Sequence, residues 1–200
     1  ELLVYPECEH KPIGSLIDQI EQKGFDSARI FMIDMYPFGD LEDADLDHKP
    51  PFAAAGYFDR KPLLRWRLGG GYYSNTDNYT SALRHRLINS AEPNAFMSQK
   101  YALLKYQPWM RLNQGLHNVG NINPMESGLS FAHFKYHAGF KRKIQIEIQR
   151  KQHFDSAKEY RKYRELLAEG KGGFGQKGLS MEYVDSASFN NFSLEDGLLL

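Results

Sequence analysis

Apolar and polar positions change rhythm several times along the chain, and each change marks an element. Residues 12–23 put Leu16, Ile17 and Ile20 on one helical face, with Pro12 at the start and Gly24 as the stop. Residues 28–36 (ARIFMIDMY) run almost unbroken through apolar and aromatic side chains to Pro37, which predicts a buried strand. Two shorter strands are predicted at 100–106 and 112–119, with Pro108 between them. After a loop at 121–128, residues 129–136 suit a strand through Leu129, Phe131, Phe134 and Tyr136. They feed a helix over 138–152, where Phe140, Ile144 and Ile148 recur every fourth position. A second helix follows, with Ser156 as its cap and Tyr160, Tyr163, Leu166 and Leu167 as its stripe. A short strand at 179–184 completes the pattern, leaving 185–200 as a tail.

The segments between are less regular. Glu1 runs straight into Leu2-Leu3-Val4-Tyr5, a strand already under way and stopped by Pro6, so the chain reads as cut from something longer. Residues 39–62 are acidic, then proline-rich, then small, and predict a long loop. Gly69-Gly70-Gly71 marks a second flexible point, and 72–97 shows no usable period. Strands mixed with helices predict one α+β domain over 1–184.

Composition narrows the function classes. At 200 residues, 42% hydrophobic and 25% charged, the chain is ordinary globular material. Twenty-five basic residues balance 25 acidic ones, which argues against nucleic acid as a partner. No apolar run reaches the roughly 18–20 residues of a transmembrane segment. Cys8 is the single cysteine, so there is no internal disulfide.

The densest chemistry lies in Ser130–His137, SFAHFKYH. A strand would send His133, Lys135 and His137 to one face near its carboxyl end, where open α/β sheets bind ligands. A helix would pair His133 with His137 one turn apart, a metal-clasp spacing. Strand propensity favours the first. Asp34 is the odd residue in its apolar run: an acid facing a substrate, or a buried carboxylate satisfied by backbone donors or an arginine. Asp40, Glu42, Asp43, Asp45 and Asp47 read as a solvated face. Trp66, Trp109, Tyr72 and Tyr73 could stack on a sugar ring or simply pack. The basic residues of 138–152 read as a solvated helix face, given Glu147 among them and no net charge.

Several segments, in order, resemble a bacterial family 2-like glycosyltransferase of the GT-A type. ELLVYPECEHKPIGSLIDQIEQKG resembles the segment that begins at the last acid of an Asp-x-Asp-Glu motif, and FMIDMYPFG the strand after it. KYALLKY followed by GLHNV resembles a Lys-x-x-Leu strand with a downstream Gly/Thr-His. AHFKYHAGFKRKI and QHFDSAKEYRKY resemble a His-Phe-Lys strand, a basic helix and a His-Tyr…Glu-Tyr-x-x-Tyr helix. The resemblance covers most of 1–167; Tyr101-Ala102 and the Asn-rich 113–123 depart from it.

The resemblance implies the acceptor-side half of a GT-A mixed sheet. Its parent would transfer a sugar from a nucleoside-diphosphate donor to a carbohydrate or lipid-linked acceptor, in cytoplasmic synthesis of surface polysaccharide or glycoconjugate. A divalent metal, Mn or Mg, would neutralise the departing diphosphate. Asp34 and His117 take catalytic places, Asp34 as a general base. His133, Lys135 and Lys100 are assigned to the donor, and Glu1 and His133 to the metal. Of the metal motif only Glu1 is present, so these residues alone are expected to bind donor weakly and not to turn over. The competing expectation is a non-catalytic carbohydrate-binding or interaction module.

Overall fold

The computed structural model describes residues 1–67, 77–90, 92, 95–151, 154–189 and 195–196. In chain order these form β1 (Leu2–Val4), α1 (Ile13–Gln22), β2 (Ser27–Asp34), α2 (Pro51–Ala54), β3 (Tyr57–Asp59), β4 (Leu63–Arg67), β5 (Asp77–Ser81) and α3 (Ala82–Ile88). There follow β6 (Gln99–Leu104), β7 (Arg111–Asn113), β8 (Asn118–Gly120), β9 (Pro124–His133), α4 (Phe140–Arg150), α5 (Phe154–Ala168), β10 (Ser180–Glu182) and β11 (Glu195–Asp196). The result is an α+β fold around a mixed sheet of order β1-β9-β2-β6.

The centre of that sheet is the parallel pair β2–β9, flanked by antiparallel β1 and β6. β2 is buried along its length, which is why its sequence is a nearly continuous apolar run. One end of the sheet is covered by α1, whose Leu16 and Ile20 meet Ala28, Ile30 and Leu129. Gly24, at φ +78°, ends that helix in the left-handed region that glycine adopts without strain. At the other end α4 and α5 pack Phe140, Ile144, Ala157, Tyr160 and Tyr163 around Tyr36 and Tyr136. Gly175 is needed nearby, because a Cβ there would lie 2.3 Å from the Phe38 carbonyl oxygen.

Several expectations need correction. The 39–62 segment is no plain loop: it holds a 3-10 turn (Leu41–Asp43), α2 and β3, pinned by buried Leu41, Ala44, Ala54, Ala55 and Phe58. The strand expected at 112–119 folds back as the ribbon β7–β8, because Gly115 and Leu116 both take positive φ. β9 starts earlier than expected, at Pro124, and a register shift lets Glu126 and Leu129 face the consecutive residues Arg29 and Ile30. It also ends earlier, at His133, where the Lys135 amide turns back onto the His133 carbonyl. Ser156 does not cap α5 but lies inside it, where Ser156 and Ala157 have positive φ. In the expected tail, Phe189 is 2% exposed and packs edge-on against Phe58. The unassigned 72–97 stretch contains β5, which pairs with β4, and α3. Gly69, Gly70, Gly71, Tyr72 and Tyr73 lie outside the described residues.

Candidate functional site

The carboxyl ends of the two parallel strands meet in register, and there Asp34 lies beside His133. Both are site residues expected from sequence, and Asp34 is only 4% exposed. Four groups converge on its carboxylate. Arg84 grips it twice, Nε to Oδ2 and Nη2 to Oδ1, each at 2.8 Å. The Ser81 hydroxyl donates to Oδ2 at 2.5 Å, and His133 Nδ1 lies 2.7 Å from Oδ1. Burial pushes this carboxyl up, but the Arg84 charge and the His133 bond outweigh it and hold Asp34 well below the usual carboxylate range.

Local sequence explains how α3 delivers the arginine. Ser81 is the N-cap of α3, accepting from the Arg84 amide while donating to Asp34. One hydroxyl therefore fixes both the helix start and the carboxylate the helix serves.

An ionised carboxylate can only accept, so His133 must donate its Nδ1–H to Asp34. The Arg84 Nη2 contact with Nδ1 at 3.0 Å is then donor against donor. Burial lowers the imidazole's pKa; Asp34 opposes this, while Arg84 and Lys135 add to it, leaving the ring easier to deprotonate than an ordinary histidine. His133 is thus neutral near pH 7, with Nε2 as a lone pair. Among the described residues nothing bonds to that nitrogen, and the side chain is 19% exposed.

Behind Arg84 the network continues onto α5. Glu159 Oε1 lies 3.9 Å from Arg84 Nη1, accepts from Lys135 Nζ at 2.5 Å and from the Tyr163 hydroxyl at 2.8 Å. Tyr136 and Tyr163 share a 2.7 Å hydroxyl contact. The Lys135 ammonium sits 4.7 Å from the Tyr163 ring centre and 5.0 Å from that of Tyr160. Burial raises Glu159, but Lys135 and Arg84 bring it down to about 2. Burial and the Arg84 charge push Lys135 down to about 8. Two cations and two carboxylates balance in this interior.

Lys135 therefore does not share a face with His133 as expected. The strand has ended, and the turn sends its ammonium under α5, where only 6% of the residue is exposed. His137 is apart again, its Nδ1 accepting from the Gly139 amide ahead of α4. Lys100 and Glu1 do come together, Nζ to Oε1 at 2.9 Å, and the lysine's hydrogen bond and charge outweigh burial in lowering the Glu1 pKa. His117 Nδ1 bonds the Gln99 carbonyl at 2.6 Å; burial lowers its pKa, and the charges of Lys100, Arg84 and Glu1 all reach it. The acids of 39–47 serve surface roles: Asp40 and Asp43 cap a turn, Glu42 pairs with Lys141, and Asp45 with His48. Trp66 is buried and donates to Thr80, whereas Trp109 stands 63% exposed.

The donors assigned to a divalent metal do not complete a site. Among the described residues no group of three His, Cys, Asp or Glu side chains gathers to hold an ion. Glu1 is engaged by Lys100, and His133 offers one nitrogen, against the roughly six ligands a hard cation takes.

Sequence reasoning missed Ser81, Arg84 and Glu159. Arg84 lies in the stretch without a readable period. Glu159 stands in the Glu-Tyr-x-x-Tyr segment, where the sequence pattern singles out Tyr160 and Tyr163 as an apolar stripe and gives the acid beside them no distinguishing mark. No family model, no curated protein and no solved structure matches the chain.

Proposed function

We propose that the chain is the acceptor-side part of a nucleotide-sugar glycosyltransferase, in which His133, oriented by Asp34, takes the proton of the acceptor hydroxyl. The observation that carries this is the register pair at the carboxyl ends of β2 and β9, with the imidazole's second nitrogen left unbonded among the described residues. Asp34 is a poor base itself, because its carboxylate is saturated and held ionised. Its part is to fix the tautomer and to stabilise the imidazolium once His133 accepts the proton. The deprotonated oxygen then attacks the anomeric carbon, and the bonding pair leaves on the phosphate oxygen of the nucleoside diphosphate. Lys100 is the partly exposed cation near Glu1 that could meet that charge; Lys135 is withdrawn beneath α5. A hydroxyl-bearing ligand also suits Gln99, whose buried Oε1 has no partner among the described residues.

One nitrogen cannot both hold a metal and receive a proton, and the dyad favours the proton. The cation that the resemblance implies would need donors beyond Glu1, so no step here passes through it.

The test is a glycosyl-transfer assay of the complete gene product with His133→Gln and Asp34→Asn beside the parent. His133→Gln is expected to lose about 10²–10⁴-fold in kcat with donor KM little changed. Undiminished turnover in both variants would sink the reading. A second reading, a carbohydrate-binding module, is favoured by the clamped Asp34, whose carboxylate is already satisfied by Arg84, Ser81 and His133. It expects oligosaccharide binding with no turnover in any version of the protein.

A further inference from the structure

Residues 140–168 hold nine Lys and Arg against four Asp and Glu, a local excess of +5 in a chain whose total is zero. Both helices of this segment bury their apolar sides in one cluster, through Phe140 and Ile144 on α4 and Ala157, Tyr160 and Tyr163 on α5. Their polar sides therefore adjoin.

Exposed Glu42, Glu92 and Glu165 pair with Lys141, Lys158 and Lys162, but the two remaining described acids of the segment are turned away from this surface. Glu147, which argued for a self-compensated helix, has a side chain only 13% exposed. Glu159 is spent on Lys135 in the interior. Arg142, Lys143, Lys151 and Arg164 are exposed and make no ion pair among the described residues. Ile146, 40% exposed, lies four residues from Arg142 and four from Arg150, on one ridge of α4. Excess cations attract any polyanion, but an isoleucine in their midst gains only where it can leave water.

We propose that the outward face of α4 and α5 docks peripherally on an anionic lipid surface. Cations beside such a surface contribute about fivefold in affinity each, and Ile146 adds a term that salt does not screen. Because α5 also carries Glu159 into the Asp34–Arg84 network, docking would set that site beside the bilayer, within reach of a lipid-linked substrate. The docking itself does not depend on the glycosyl-transfer reading.

The test pellets the full chain with vesicles of phosphatidylcholine, alone or mixed with phosphatidylserine, at low and at physiological salt. Binding is expected only with phosphatidylserine and should fall steeply with salt. The double change Arg142→Glu/Lys143→Glu should weaken it by about 25-fold or more. Ile146→Asp should weaken it several-fold at either salt, and Lys23→Glu, just past the end of α1, should leave it unchanged. A variant that melts early is replaced by Arg142→Gln/Lys143→Gln, which should weaken binding less but in the same direction. Absence of vesicle binding at low salt, binding indifferent to lipid charge, or binding that survives the double reversal would each overturn the proposal. So would capture of an RNA homopolymer without capture of vesicles, which would make the surface a nucleic-acid face instead.

Discussion

Helix α3 sends two arginines, two residues apart, to two buried aspartates, and only one of those pairs looks like a site. Arg84 holds Asp34; Arg86 Nη2 holds Asp59 Oδ1 at 2.9 Å. Both aspartates are nearly sealed, at 4% and 3% exposure, and each takes a short hydroxyl bond, from Ser81 and from Tyr36. They differ in their remaining neighbours. Asp59 meets Tyr36, which also contacts Ser180, and Arg86 donates onward to the Phe174 carbonyl. Burial and the Asp59 charge hold the Tyr36 phenol far above its ordinary range, so it stays neutral. Asp34 meets an imidazole at a strand terminus whose other nitrogen is unbonded among the described residues. A buried ion pair is by itself weak grounds for function, since such pairs also serve as internal fasteners. The difference lies in the partly exposed titratable group that the carboxylate orients.

The largest effect expected from this contrast is on stability. Arg84→Met strands the Asp34 carboxylate in the interior and takes a cation from Glu159, so a loss of about 3–5 kcal/mol is expected. Arg86→Met should cost less, about 1–3 kcal/mol, because Asp59 keeps the Tyr36 bond and the Arg86 side chain is 24% exposed to begin with. Urea unfolding of the two variants measures this. Equal losses would mean that the two pairs are the same kind of fastener.

Next in size is a pH effect. Glu159 has its folded pKa down to about 2, from an ordinary value of 4.5. A depressed carboxyl contributes stability that is complete above its unfolded pKa and lost as pH falls toward the folded one. The shift corresponds to about 3 kcal/mol, lost between pH 4.5 and about 2. Glu159→Gln should be less stable than the parent at pH 7, where Lys135 loses its anion, and should lack that part of the acid decline. Unfolding free energies taken across this window check it. A variant whose acid limb overlays the parent's would remove Glu159 from the balance of charges. The Asp59 pair predicts no such change, since Glu159 makes no contact with it.

How far the site could be seen in the sequence follows from the same geometry. β2, α1 and α4 were legible because each buries a stripe or run long enough to show its period. Asp34 stood out because an acid in an apolar run must be paired or functional, and the structure pairs it with an arginine. That arginine was invisible: α3 has seven residues, under two turns, and its identity rests on a cap and on contacts remote in sequence. Lys135 was misplaced because no glycine or proline marks the end of β9. The strand stops where the Lys135 amide turns back, a choice set by the tyrosine-lined pocket under α5 rather than by local propensity. Asp59 lay in a segment read as loop, because β3 is three residues long and is held by β10, more than a hundred residues away.

The smallest effects come from the two hydroxyls, and they separate the pairs most sharply. Ser81→Ala removes the bond to Asp34 Oδ2 and the cap of α3; Tyr36→Phe removes the bond to Asp59 Oδ1. Each should cost about 1–2 kcal/mol, so stability alone will not tell them apart. The His133 imidazole should. In Ser81→Ala the Asp34 carboxylate has one donor fewer and more charge to offer Nδ1–H, so protonated His133 is favoured and its titration moves to higher pH. In Tyr36→Phe the change is at the other aspartate, and the His133 titration, followed by its ring resonances, should stay where it is in the parent. If the two substitutions moved the imidazole equally, α3 would be transmitting strain between its arginines, and the site would extend through Asp59 as well.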